Sequence, residues 1–142
     1  MWFDAEANFA RFSHKDSIDF YLKKIKSLGF THAVVDVRPI TGEVLFNSKY
    51  APRMEEWNGA PRGDFDYLGY FIEQGHKQGL EVHASLNVFC AGHNYFDRGL
   101  VYSGHPEWAS TVYNPDRGLI PITEEKEKYG TMINPLNEEY RI

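Results

Sequence analysis

Ala33-Val34-Val35-Asp36-Val37-Arg38-Pro39 reads as a buried β-strand that carries charge only towards its end. Three valines with apolar residues on both faces are the mark of a strand in a parallel sheet covered on both sides. Two further stretches read the same way, Trp2-Phe3-Asp4-Ala5-Glu6-Ala7-Asn8 and Val82-His83-Ala84-Ser85-Leu86-Asn87-Val88. Each places polar groups at alternate positions near its C-terminal end. In a parallel α/β sheet or barrel, ligands bind at that end of the strands. Asp4, Glu6, Asp36, Arg38, His83 and Asn87 are therefore expected to converge on one site.

Helical patterns separate the three strands. Residues 13–28 form the first, with Ile18, Tyr21, Leu22, Ile25 and Leu28 on one face. Ser13 and Asp16 stand at capping-box spacing at its start, and Gly29 closes it. Phe30 leads into the strand at 31–37. A second helix is expected from about Asp64, with Leu68, Phe71, Ile72 and Gly75 as its buried stripe and Gly79 at its end. The strand at 80–88 follows. The order β-α-β-α-β implies parallel strands with right-handed crossovers.

The connections are unequal. Helix-to-strand links are two or three residues long, at Gly29 and Gly79. The strand-to-helix link at 38–63 is long, and so is whatever follows Val88. Long loops in compact domains are usually functional or disordered, and these leave the strand ends where α/β sites are built. Residues 92–128 are rich in Gly, Pro, Asn and aromatics, and 124–128 is a charge run expected on the surface. Residues 131–134 read as a fourth short strand or an irregular edge segment. Pro135 with Asn137-Glu138-Glu139 reads as the start of a helix. Three or four strands are fewer than the eight a barrel needs, so the chain reads as truncated. Its sheet edges would then have to be covered, by a homo-oligomer or by missing chain.

The bulk composition narrows the function. A chain of 142 residues fits one domain, and 42% hydrophobic residues suffice for a core. A net charge of −5 argues against nucleic acid and anionic membrane surfaces as partners. No transmembrane run or signal peptide is evident. Nine Tyr, ten Phe and three Trp supply rings that stack on sugars or bases, or that simply fill core and loops, the commoner use. The single cysteine, Cys90, cannot form an internal disulfide. With His93 and His105 it makes no metal-ligand spacing, so neither metal nor cofactor is expected.

Alternation along the strands assigns the candidate residues to faces. His32, Val34, Asp36 and Arg38 share one face; His83, Ser85 and Asn87 share another. Val82, Ala84 and Leu86 take the opposite face, towards the helices. Asp36 lies among valines, where lost solvation raises a carboxylate's pKa. It is the candidate general acid or base; the competing reading is an ion pair with Arg38 or a histidine. Arg38, held extended by Pro39, could clamp hydroxyls or a carboxylate with its planar fork. Asp4 and Glu6 flank Ala5 and are either a carboxylate pair or two acids that share a strand face by chance. Asn87 and Asn134 suit sugar hydroxyls. His83 is either a further contact or a satisfied core histidine.

Taken in order, several pieces of this chain resemble one family. They are Trp2-Phe3-Asp4-Ala5, Leu28-Gly29-Phe30-Thr31, Val37-Arg38-Pro39, Gly42, Asn47-Ser48-Lys49-Tyr50, Phe65-Asp66-Tyr67-Leu68, the run from Gly75 to Ala84, Leu86-Asn87, His105-Pro106-Glu107-Trp108 and Asn134-Pro135. Together they resemble the N-terminal part of the family-10-like bacterial glycosyl hydrolases. The resemblance implies an α/β fold, a partial (β/α)8 TIM barrel comprising the first three or four β/α units. It implies a carbohydrate-active protein acting on a bacterial polysaccharide or peptidoglycan glycan, extracytoplasmic, with its leader removed. A non-catalytic carbohydrate-binding module is the alternative. Two positions depart from the family: it commonly has Gln where Asp36 stands, and Trp or a similar large residue where Ser85 stands. The acid-bearing Asp-Gly-X-His-Phe-Asp-like motif that follows in the family is absent from these residues.

Overall fold

The computed structural model describes residues 1–125 and 130–139. They fall into two compact units, Met1–Pro39 with Val44–Leu86, and Ile40–Glu43 with Asn87–Ile142.

The first unit starts with β1 (Trp2–Phe3), α1 (Ala5–Phe12) and α2 (Lys15–Ser27). β2 (His32–Arg38) follows, then a small hairpin of β3 (Glu56–Trp57) and β4 (Ala60–Pro61). α3 (Tyr67–Lys77) and β5 (Glu81–Leu86) complete it. β1, β2 and β5 form one parallel sheet in that order, with β2 in the centre. The expected parallel β-α-β-α-β order therefore holds.

Both helix-to-strand turns use the same device. Gly29 (φ +88°) and Gly79 (φ +68°) take the left-handed conformation one residue past the helix caps. Phe30 N–H then reaches back to the Ile25 carbonyl at 3.1 Å, and Leu80 N–H to that of Gly75 at 2.9 Å. Each turn thus satisfies a terminal helix carbonyl and aims the chain straight into a strand.

The core lies between one sheet face and the helices. Ala33, Val35 and Val37 of β2 meet Ile18, Leu22 and Ile25 of α2, with Phe3, Phe12 and Phe71 between them. Phe3, Phe12 and Phe71 form an edge-to-face cluster with ring centroids 5.2–5.7 Å apart, and much of the aromatic content is spent on such packing. Gly75 is buried on α3 because Val82 of β5 fills the space a side chain would need. Four expected core positions lie outside this core: Leu28 is the exposed C-cap of α2, Ile72 is over one-third exposed, and Ala84 and Leu86 of β5 are exposed.

Three sequence expectations are corrected at the N-terminus. The first strand is two residues long, not seven, because the chain turns into α1 at Ala5. Asp4 is the N-cap of that helix and Ala-Glu-Ala its first turn, a favourable helix start. Glu6 is therefore helical, and Asp4 and Glu6 do not share a strand face. Ser13 does not open the long helix; it closes α1, its hydroxyl donating to the Phe9 carbonyl at 2.8 Å. α2 starts at Lys15 behind His14, whose side chain makes no cap bond.

The second unit contains β6 (Cys90–His93), α4 (Leu100–Ser103), a 3-10 turn at Pro106–Trp108, the hairpin β7 (Thr111–Asn114) with β8 (Gly118–Pro121), and β9 (Gly130–Met132). β9 runs antiparallel to β6. The segment expected as a fourth strand therefore adds nothing to the parallel sheet, which has three strands among the described residues. Ala91, Val101 and Ile133 form the buried cluster of this unit. Residues 135–138, expected to open a helix, form turns. Part of the charge run at 124–128 lies outside the described residues.

Candidate functional site

The C-terminal end of β2 is where chemistry concentrates in the first unit. Asp36 is 5% exposed and Arg38 8%. Ala33, Val35 and Val37 point to the helices, so alternation sends Asp36 and Arg38 to the opposite sheet face. Pairing agrees: Val34 lies opposite His83 and Asp36 opposite Ser85. The register then slips between Asp36 and Arg38, so that Arg38 pairs with Leu86. Such irregularities re-aim side chains and backbone donors at strand ends.

The start of α1 and the end of β2 converge on the Asp36 carboxyl group. Backbone N–H groups of Ala5 and Arg38 donate to it. Ala5 is the first residue of α1, so its N–H is one of the helix's orphan donors, at the positive end of its dipole. Asp4, one residue earlier, accepts from Ala7 N–H at 2.7 Å. Two carboxylates thus share one helix start. Oδ1 of Asp36 is buried without a hydrogen-bond partner. Burial is the largest influence on Asp36 and pushes its pKa up; the negative charge of Asp4 pushes the same way, and the two backbone donors oppose them.

Tyr67 belongs to this group, although sequence reasoning did not single it out. It is the first residue of α3, its ring 5.0 Å from that of Phe71. Its hydroxyl is buried without a partner, and its pKa is driven above the normal phenol range by burial, then by the charges of Asp36 and Asp4. The signal was present only as Phe65-Asp66-Tyr67-Leu68, where Asp66 caps α3 by accepting from Gly69 N–H at 3.1 Å. Nothing in that local pattern tells that the tyrosine would face β2. A second feature is an open groove of about 420 Å³ lined by Phe46, Asn47, Ser48, Lys49, Pro52 and Arg53. Its volume is in the range of small-ligand sites.

The other expected site residues fall in different places. Glu6 is half-buried in the first turn of α1. His83 is exposed near the start of β5, not in the core. It stands two residues before Ser85, the partner of Asp36, which is about 7 Å along the strand. Asn87 and Asn134 are exposed in the second unit. Asn134 caps its own turn, its side-chain oxygen accepting from Leu136 N–H at 3.0 Å. Among the expected residues, Asp4, Asp36 and Arg38 are brought together at one strand end.

A buried acid with raised pKa, on a parallel sheet's C-terminal end and beside a second carboxylate, suits proton transfer to a bound oxygen. The family described as Glycosyl hydrolase-like 10 matches residues 1–139, and the chain belongs to it. It is similar to an S-layer-related protein of Niallia circulans, with 30% identity across 99% of this chain and 9% of that protein. It is also similar to Glycosyl hydrolase YngK of Bacillus subtilis, with 30% identity across 66% of this chain and 19% of that protein. The chain thus spans less than a fifth of the length of either relative. No helix among the described residues is long and apolar enough to cross a membrane.

Proposed function

We propose that residues 1–142 are the N-terminal portion of a (β/α)8 barrel domain of a glycoside hydrolase, and that Asp36 is a proton donor in its site. The substrate is a bacterial polysaccharide or peptidoglycan glycan strand, met outside the cytoplasm. Family membership and the name of the Bacillus relative support the reaction class; the S-layer-related relative supports the location. The observation that carries the residue assignment is the Asp36 carboxyl group, buried with Oδ1 unpartnered and its pKa raised.

A neutral carboxylic acid donates its proton to the glycosidic oxygen as the C–O bond breaks. Hydrolysis needs a second carboxylate, ~5–9.5 Å away depending on stereochemistry, and no cofactor. In this reading the second carboxylate is supplied by later strands. Asp4 and Arg38, at the same strand end as Asp36, are the sugar contacts.

The test is reducing-end release from glycan strands by this chain and by a version extended with further strand–helix units. Little turnover is expected from the former. In the extended protein, Asp36→Asn lowers kcat by about 100-fold or more, the usual worth of a general acid. Full activity in Asp36→Asn removes the proton-donor role, and if Asp36→Ala then loses activity, Asp36 is a hydrogen-bonding residue. A second reading, a carbohydrate-binding unit without catalysis, is favoured by the exposed rings of Tyr95 (64%) and Tyr113 (72%) in the second unit. Sugar binding with no release by either version selects it. Both readings leave β5 as a strand edge to be covered by further chain or a second copy, which a mass by light scattering distinguishes.

A further inference from the structure

We propose that His32, Glu81 and His83 form a binding site for a zinc-type divalent transition-metal ion at the N-terminal ends of β2 and β5. The three residues come from two strands and are brought together by register: His32 pairs with Glu81, and Val34 with His83. Glu81 and His83 are two apart on β5, so all three side chains leave the same sheet face. Sequence spacing could not reveal this set, because His32 and Glu81 meet only once the strands pair.

The geometry suits one ion. One ligand atom from each residue lies within 4.8 Å of the other two. His32 Nε2 is 3.5 Å from the Glu81 carboxylate. The two imidazole rings are stacked nearly parallel, at 11° with centroids 5.4 Å apart. Ligands at zinc distances of ~2.0–2.2 Å stand roughly 3–3.5 Å from one another, so the site must contract by about 1 Å. The His32 and Glu81 side chains are 49% and 73% exposed and have the freedom to do so. Two imidazoles and a carboxylate are the donor mixture that zinc and its neighbours accept, with water filling the remaining position.

The surroundings of His32 add an independent argument. Thr31 Oγ1 lies 2.6 Å from His32 Nδ1. When Nδ1–H donates to that hydroxyl, Nε2 carries the lone pair and faces Glu81. A metal-bound histidine is oriented by this kind of outer contact. The site is remote from the proton donor proposed above: His32 precedes Asp36 by four residues, about 13 Å of strand. An ion there joins the start of the edge strand β5 to the central strand β2. Its role is to brace the sheet.

Titrating the metal-free 142-residue chain with Zn²⁺, and with Co²⁺ followed by visible absorption, tests the site. One equivalent of each metal is expected to bind, with a ligand-field spectrum for Co²⁺ and a rise in Tm. His32→Gln and His83→Gln each weaken binding by tenfold or more and abolish the Tm rise, while circular dichroism stays unchanged. Thr31→Val, which keeps the three ligands, weakens binding by about 10–100-fold. His105→Gln, in the second unit, leaves binding unaltered. Binding that is equal in wild type, His32→Gln and His83→Gln overturns the proposal, as does the absence of saturable binding in the wild type.

Discussion

Asp36 sits between opposing influences: burial and Asp4 favour its protonated form, while the Ala5 and Arg38 N–H groups favour its charged one. The net shift is upward from 3.8, so burial and Asp4 outweigh the two backbone donors. A carboxyl whose pKa is higher folded than unfolded binds more protons in the native state, so its contribution to stability falls as pH rises. The loss begins near 3.8 and is complete above the raised folded value. Asp36→Asn removes this pH dependence: Tm curves should show the variant gaining on the wild type as pH rises through that window, and equalling or exceeding it at pH 7. A variant that loses ground with rising pH would show that the carboxylate, not the acid, is the stabilising form. Asp36 was legible in the sequence because a lone acid among valines is conspicuous. Tyr67 was not, since its proximity to Asp36 is created by α3 packing on the sheet. The burial of Arg38 was likewise hidden, because nothing local separates a buried arginine from one reaching into solvent.

At the level of elements, Gly75 and Val82 lock α3 to β5. A Cβ at position 75 would stand 2.4 Å from Val82 Cγ2. Ala is the better helix former by about 1 kcal/mol, which alone would make Gly75→Ala stabilising. The contact is with a β-branched strand side chain that has little rotamer freedom, and overpacking costs ~1–3 kcal/mol. The clash should win: Gly75→Ala is expected to lose about 1 kcal/mol, a Tm drop of roughly 4 °C in thermal melts. A rise in Tm would mean that the helix shifts freely on the strand. The helices and strands flanking Gly29 and Gly79 were legible because apolar spacing and terminal glycines agree there. The N-terminus was misread because Trp2-Phe3-Asp4 starts as a strand, and the capping role of Asp4 shows only when Ala5-Glu6-Ala7 is weighed as a helical first turn. The small hairpin was missed although its signal is plain: Asn58-Gly59, with φ of +50° and +79°, is the two-residue turn that joins β3 to β4.

For the whole molecule, the two units differ in how much they bury. The first packs an aromatic and aliphatic cluster that includes Phe3, Phe12, Phe71 and the β2 valines; the cluster of the second is Ala91, Val101 and Ile133. Local stability follows buried apolar contact. Hydrogen exchange should therefore find β2, paired on both edges, the best protected strand, with the amides of β7 and β8 exchanging at least roughly tenfold faster. Equal protection would mean that the molecule opens only as one cooperative body. The second unit was the least legible part of the chain, because short antiparallel strands separated by Gly, Pro and Asn carry little periodicity. Its His105 ring lies flat on Trp108, 3.6 Å between centroids and 4° from parallel. An imidazole stacked at that distance alters indole emission, whereas Trp57 of the first unit, 5% exposed and buried on β3, emits from an apolar setting. Each unit thus carries its own optical reporter, and once the exposed Trp2 is replaced by Phe, a single unfolding experiment read at two emission wavelengths would follow the melting of both.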